Sequence, residues 1–242
     1  VKAGACVVPL SGLLTKEQII NLTNNSKSKC LIVDKDFINL ISRSKKDYQY
    51  ISEGNFFFLD HEEVNWDNIA NEITNEKTEF LYKYDCAADD NFNIIYSSGT
   101  TGLPKGIVQT HRARSHWATS NALEMSFNNF SRALTTTALY SNGTWLMMLP
   151  TIFVGGTLFI MKNFDPKVFV DIVEKERITH TFLVPPQFGA LLELSDLKES
   201  NFSSIIAILS AGSPLRLDMK EKILTFISEK LYELYGFSEG FA

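Results

Sequence analysis

The 242-residue chain is 45% hydrophobic and 21% charged, enough apolar material for one large core or two small ones, which excludes an intrinsically disordered protein. Its formal net charge of −5, from 23 basic and 28 acidic side chains, leaves no basic surplus for a phosphate backbone or an anionic lipid surface, so no nucleic-acid partner is expected. Cys6, Cys30 and Cys86 are odd in number, far apart and without CxxC spacing, which argues against a disulfide framework or a zinc site and suits a reducing, cytoplasmic setting.

Short apolar runs rich in β-branched and aromatic residues alternate with helix-period segments, the pattern of parallel strands joined by crossover helices. An α/β fold of mixed, largely parallel sheets flanked by helices is therefore predicted. The chain opens at Val1 inside an apolar run, with no initiator Met, basic n-region or cleavage pattern, and is expected to be a piece of a longer protein. Residues 5–10 (ACVVPL) read as a strand, followed by a helix with Thr15 as N-cap and Gln18 closing a capping box. Residues 29–33 (KCLIV) read as a second strand. Between Asp34 and Asp90 lie 14 of the 28 acidic residues and only six Lys or Arg, so this part is expected to be mostly solvated and to hold no catalytic group.

Residues 133–161 carry no Asp, Glu, Lys or Arg, but Pro150 and Gly155-Gly156 suit a buried helix, a turn and a strand better than a membrane span. Strands are then predicted at 157–161, 179–184 and 204–209. Asp165-Pro166 opens a helix with Val168, Phe169, Ile172 and Val173 on one face, and a last helix runs through Met219, Ile223, Leu224 and Ile227. Trp145, Met147 and Met148 read as core, and His61, His116 and His180 show no metal-ligand spacing.

The chemistry concentrates in YSSGTTGLPKG (residues 96–106), which follows the apolar run 92–95. Glycines let backbone N–H groups approach an anion, hydroxyls donate to its oxygens and a lysine supplies a point charge, so the stretch has the composition of a polyphosphate cradle. It is not a Walker A loop, because Pro104 precedes Lys105 and Gly106 follows it. An exposed Ser/Thr/Gly turn is the alternative for a shorter string of this kind.

The full string closely resembles the signature loop of the adenylate-forming superfamily, which contains acyl-CoA and aryl-CoA ligases, luciferases and peptide-synthetase adenylation domains. Other segments resemble the same family in the same order: VKAGACVVPL (1–10), THRA (110–113), LVPPQFGALL (183–192), SAGSPL (210–215) and YGFSEG (235–240). The resemblance covers essentially the whole chain. It implies an incomplete N-terminal adenylating domain over residues 1–242, with the family's small C-terminal lid lying beyond Ala242, and a piece that alone binds ATP weakly and does not turn over.

The implied reaction is ATP-dependent activation of a carboxylic acid through an acyl-adenylate, followed by thioester formation with CoA. A carrier-protein-loading adenylation domain and a non-catalytic nucleotide-binding remnant are the alternatives. By resemblance, Ser97, Ser98, Gly99, Thr100, Thr101, Gly102 and Lys105 hold the β- and γ-phosphates of ATP. Ser238, where the family usually has Thr, meets the α-phosphate. Tyr235 offers a face to adenine, with Gly212 and Pro214 on its other side, and Glu239 binds Mg²⁺. Lys105, Ser238 and Glu239 carry the catalytic roles, while His111 at a helix start reads as a local structural group. The acyl pocket falls on Tyr140, Ser141 and Asn142, with Gly236 leaving room. Many relatives have His there, and amino-acid-activating domains have Asp; with Ser141 and Asn142 instead, a buried ammonium would lack a carboxylate, so a neutral-tailed acyl or aryl acid is expected rather than a free amino acid.

Overall fold

The capping box at the first helix forms as the sequence predicts: Gln18 N donates to Thr15 Oγ1 at 3.3 Å and Thr15 N donates to Gln18 Oε1 at 2.9 Å, opening α1 (Lys16–Asn25). The computed structural model describes residues 4–42, 44–59, 66–75, 85–97 and 104–241. Two compact units emerge, one comprising 1–87 and 91–108 and the other 88–90 and 109–242.

In the first unit, β1 (Leu31–Val33), β2 (Phe56–Phe58) and β3 (Asp67–Asn68) form a parallel sheet in that order, and α2 (Ile69–Asn75) follows β3. The acidic stretch after Asp34 is mostly exposed, as its charge count predicts, but it encloses a small aromatic core. Phe56 and Phe58, on alternate positions of β2, point to one face and pack with Tyr48, Ile51 and Trp66, the Phe56 and Trp66 ring centroids lying 5.0 Å apart. The strand predicted at 5–10 shrinks to a single parallel bridge between Val7 and Asn93, because Pro9 has no N–H to extend a ladder. β4 (Asn91–Ser97) and β5 (Lys105–Thr110) pair as a two-stranded sheet.

The second unit is built on a five-stranded parallel sheet. α3 (His111–Glu124) leads to β6 (Arg132–Thr135), then α4 (Asn142–Val154), β7 (Thr157–Ile160), α5 (Pro166–Lys175), β8 (His180–Leu183), α6 (Pro185–Leu192), β9 (Ala207–Ser210), α7 (Leu217–Phe226) and β10 (Leu231–Glu233). A short antiparallel hairpin, β11 (Gly236–Phe237) and β12 (Gly240–Phe241), closes the chain's described part. The spatial order is β10-β9-β8-β6-β7. The chain steps outward from β6 to β7 and then returns past β6 to β8, so right-handed crossovers place α4 on one face and α5, α6 and α7 on the other. The two cores agree: Leu146 and Met147 of α4 pack with Ala122 and Met125, while Phe169, Val173, Phe188, Leu191 and Ile223 fill the opposite face. β8 is buried on both sides, Phe182 facing the first cluster and Leu183 the second.

The uncharged stretch 133–161 holds the predicted helix, turn and strand, preceded by β6, which its sequence did not announce. α4 runs through Pro150 and stops at Gly155, whose φ of 75° is the left-handed helix terminus that favours glycine. Among the described residues, no helix is long and apolar enough to cross a membrane. Asp165 caps α5 by accepting from Lys167 N and Val168 N, and Phe169 and Val173 are buried as expected, but Val168 is 47% exposed because it falls at the edge of the apolar stripe.

His180, fully buried at the start of β8, is structural. Its Nε2 lies 2.9 Å from Met125 O, which only accepts, so Nε2 carries the hydrogen and Nδ1 accepts from Thr179 Oγ1 at 2.8 Å. Burial pulls this imidazole below the ordinary value of 6.5, opposed by the Met125 hydrogen bond. The unfolded chain therefore takes up a proton that the folded one resists, so stability is unaffected by this group above pH 6.5 and is lost as pH falls below it. Thermal unfolding midpoints should drop between pH 6.5 and 5, less steeply in His180→Gln than in the wild type; equal slopes would remove His180 as the cause.

Candidate functional site at the carboxyl edge of the parallel sheet

Strand order reverses at β6, and the carboxyl ends of β6 and β8 flank the reversal, the place where open parallel sheets bind ligands. The two strand ends are tied together. Thr136 Oγ1 lies 3.0 Å from Phe182 O and 3.1 Å from Gln187 Oε1, and Val184 N donates to the same Gln187 oxygen at 3.0 Å. The loop after β6 is fixed by the first turn of α4, with Thr144 Oγ1 2.6 Å from Thr137 O and Trp145 Nε1 donating to Leu139 O at 2.7 Å. This loop delivers Tyr140, Ser141 and Asn142, and Ser141 is spent partly as the N-cap of α4, accepting from Gly143 N at 3.3 Å.

The loops after β9 and β10 stand beside it on the same edge. Parallel strands lie about 4.8 Å apart, so the four strands from β6 to β10 span ~14 Å, the scale of a nucleotide with a small acyl group. After β9, Gly212 adopts a φ of 94°, and Pro214 follows on the exposed surface. Leu215 N donates to Glu233 Oε1 at 2.9 Å, which ties this turn to the end of β10. Lys220, paired with the other carboxylate oxygen, and the Leu215 N–H hold the Glu233 carboxyl below its usual range.

From β10 the chain runs directly into Tyr235 and the β11–β12 hairpin, whose tip is Ser238-Glu239. Tyr235 is not a core aromatic: it is 73% exposed and its ring meets Phe237 edge-on at 5.6 Å. Glu239 is exposed. Among the described residues no three His, Cys, Asp or Glu side chains converge as a metal cage. A lone exposed carboxylate fits Mg²⁺ that takes its remaining ligands from phosphate oxygens and water.

In the first unit, Ser97 ends β4 and Lys105 opens β5. Tyr96, just before Ser97, donates to Leu22 O at 3.1 Å and Asn25 Oδ1 at 2.7 Å, anchoring β4 to α1. A Cβ at Gly106 would lie 3.1 Å from the Tyr96 ring, so glycine there permits the close approach of the two strands. Ser98, Gly99, Thr100, Thr101 and Gly102 lie outside the described residues.

Comparison with known proteins fixes the family. The family model for AMP-binding enzymes matches residues 1–242. The chain belongs to the AMP-binding enzyme family. It is 25% identical over 98% of its length to 4-coumarate:CoA ligase 1 of Petunia hybrida, of which it covers 44%. Its fold matches the N-terminal domain of FACL13 from Mycobacterium tuberculosis with a TM-score of 0.82 at 22% identity, over 98% of this chain and 58% of that one. ATP-bound MatB from Rhodopseudomonas palustris matches equally, with a TM-score of 0.82, 21% identity and coverage of 98% and 46%. The chain thus spans less than half the length of the ligase it matches.

Two buried polar residues are not evident from motif reading. Gln109 Nε2 donates to Ser238 O at 2.7 Å, fixing the hairpin tip. Arg114 is buried in α3, where sequence patterns place charges outside. A charged residue on a helix stripe otherwise filled by Ala118 and Ala122 is the signal that could have found it. His111 follows the N-cap Thr110 at the helix start, as a local structural group would.

Proposed function

We propose that the whole protein activates a carboxylic acid with ATP and Mg²⁺ and passes the acyl group to CoA. The observation that carries this is the pairing of a glycine turn at 212–214 with the Tyr235–Glu239 hairpin at the ends of adjacent strands, in a chain of the AMP-binding family. Relatives that are CoA ligases support CoA over a carrier protein as the acceptor.

Tyr235 and the 212–214 turn hold adenine between them, and Ser238 donates to the α-phosphate. Ser97 and Lys105 bind the β- and γ-phosphates together with the loop they flank, Ser98, Gly99, Thr100, Thr101 and Gly102 included. The acid lies toward Tyr140, Ser141, Asn142 and Gly236. A carboxylate oxygen attacks the α-phosphorus, the bond to pyrophosphate breaks, and the CoA sulfur then attacks the acyl carbon, releasing AMP and a proton. Glu239 would hold Mg²⁺, which neutralises charge on the departing pyrophosphate. Little covalent chemistry falls to the protein; positioning and charge neutralisation do most of it.

Acid-dependent exchange of labelled pyrophosphate into ATP by the full-length protein tests this reading. Exchange is expected with at least one acid of a broad panel, and a folded protein giving none overturns it. Lys105→Ala should weaken ATP use while changing stability by no more than about 0.5 kcal/mol, since the side chain is exposed. Unchanged nucleotide kinetics would remove Lys105 from the site.

A further inference from the structure

Arg114 is the fourth residue of α3 and only 1% exposed. Its guanidinium carbon lies 4.5 Å from the centroid of the Trp117 ring and 4.9 Å from that of Trp145, and Nη2 donates to Asn142 Oδ1 at 2.8 Å. Taking such a cation out of water is costly, and cation–π contacts with two rings offset part of that cost. Burial lowers its pKa to about 10, which still leaves it charged at neutral pH.

Arginine has donors only, so it settles which way the Asn142 amide faces: the oxygen turns to Arg114 and the nitrogen turns away. Asn142 Nδ2 is buried and has no hydrogen-bond partner among the described residues. A buried donor left unpaired is unfavourable. Asn142 is also the first residue of α4, next to Tyr140 and Ser141 at the carboxyl edge of β6 where strand order reverses. The unpaired donor therefore stands where the acyl end of a substrate is placed by the reading above, on which this inference rests.

We propose that Asn142 donates a hydrogen bond to an oxygen on the tail of the acid, and that Arg114 is the positioning residue that fixes the amide for this task. The substrate is then an acid whose neutral tail carries a hydroxyl, ether or carbonyl oxygen, distinct from the carboxylate that reacts. Pure hydrocarbon acids of equal size leave the donor unpaired and are discriminated against.

The test uses the full-length protein and the ratio of kcat/KM values for matched acids, 4-hydroxycinnamate against 4-methylcinnamate and 6-hydroxyhexanoate against heptanoate. One net hydrogen bond of about 1.4 kcal/mol corresponds to a tenfold ratio, so the wild type should favour the oxygenated member of at least one pair by about tenfold or more. Asn142→Leu should bring that ratio to within about threefold of unity, Arg114→Met should lower it, and Arg114→Lys should restore part of it. A ratio is insensitive to the folded fraction, so a merely structural Arg114 would leave it unchanged even where total activity falls. Exchange with acids of both kinds at equal efficiency, or ratios that survive both Asn142→Leu and Arg114→Met, would overturn this inference while leaving the adenylation reading intact. Failure of every acid to support exchange would remove both.

Discussion

Replacement of Glu239 by glutamine is expected to lower acid-dependent ATP–pyrophosphate exchange by about 10²–10³-fold, the range found when one preorganised electrostatic contact is removed from a reacting phosphate or acyl centre. The reason is local. Glu239 sits at the tip of the β11–β12 hairpin, exposed, and no other acidic, His or Cys cluster among the described residues could take over a divalent cation. Glutamine keeps the shape and removes the charge, so the Mg²⁺ concentration giving half-maximal rate should rise as the rate falls. The unfolding midpoint should not move, because an exposed turn side chain contributes little to stability. An exchange rate within threefold of wild type at all Mg²⁺ concentrations would displace Glu239 from the metal.

Phe169→Ala should have the largest effect on stability. The ring is completely buried on the face of the sheet covered by α5, α6 and α7, packed with Val173, Ile178, Leu183, Phe188 and Ile223, and 5.9 Å from the ring of Phe164. Deleting such a ring removes its transfer free energy and leaves a cavity, costing about 3–5 kcal/mol. Domains are commonly stable by only about 5–15 kcal/mol, so much of the margin would go. The denaturant midpoint should fall with an unchanged slope. A loss below about 1 kcal/mol would contradict the placement of Phe169 at the centre of that core.

How much of this was legible beforehand follows from the range of each signal. Local signals were read well: Thr15 and Gln18 form their capping box, Asp165-Pro166 opens α5, and Gly155 ends α4, because each depends on residues within one turn of each other. Strand alternation gave the parallel α/β class, and the match of the whole chain to the AMP-binding family bears out the resemblance in its motifs. Long-range facts were not legible. Nothing near Phe56 says that it meets Trp66, so the small aromatic core inside the mostly exposed acidic stretch was not foreseen. Nothing near Arg114 says that Trp145 and Asn142 will come to it across the α3–α4 contact. Tyr235 shows the same limit from the other side: the resemblance assigns its ring to adenine, but only the end of β10 shows that it stands in solvent.

The account depends most on the claim that adenine lies between the 212–214 turn and Tyr235. Photolabelling of the full-length protein with 8-azido-ATP and Mg²⁺, followed by mass mapping of the modified peptides, addresses it directly. Label should fall within residues 210–239 and be displaced by ATP. Label that ATP displaces but that lies wholly outside residues 210–239 would contradict the placement of adenine between the 212–214 turn and Tyr235.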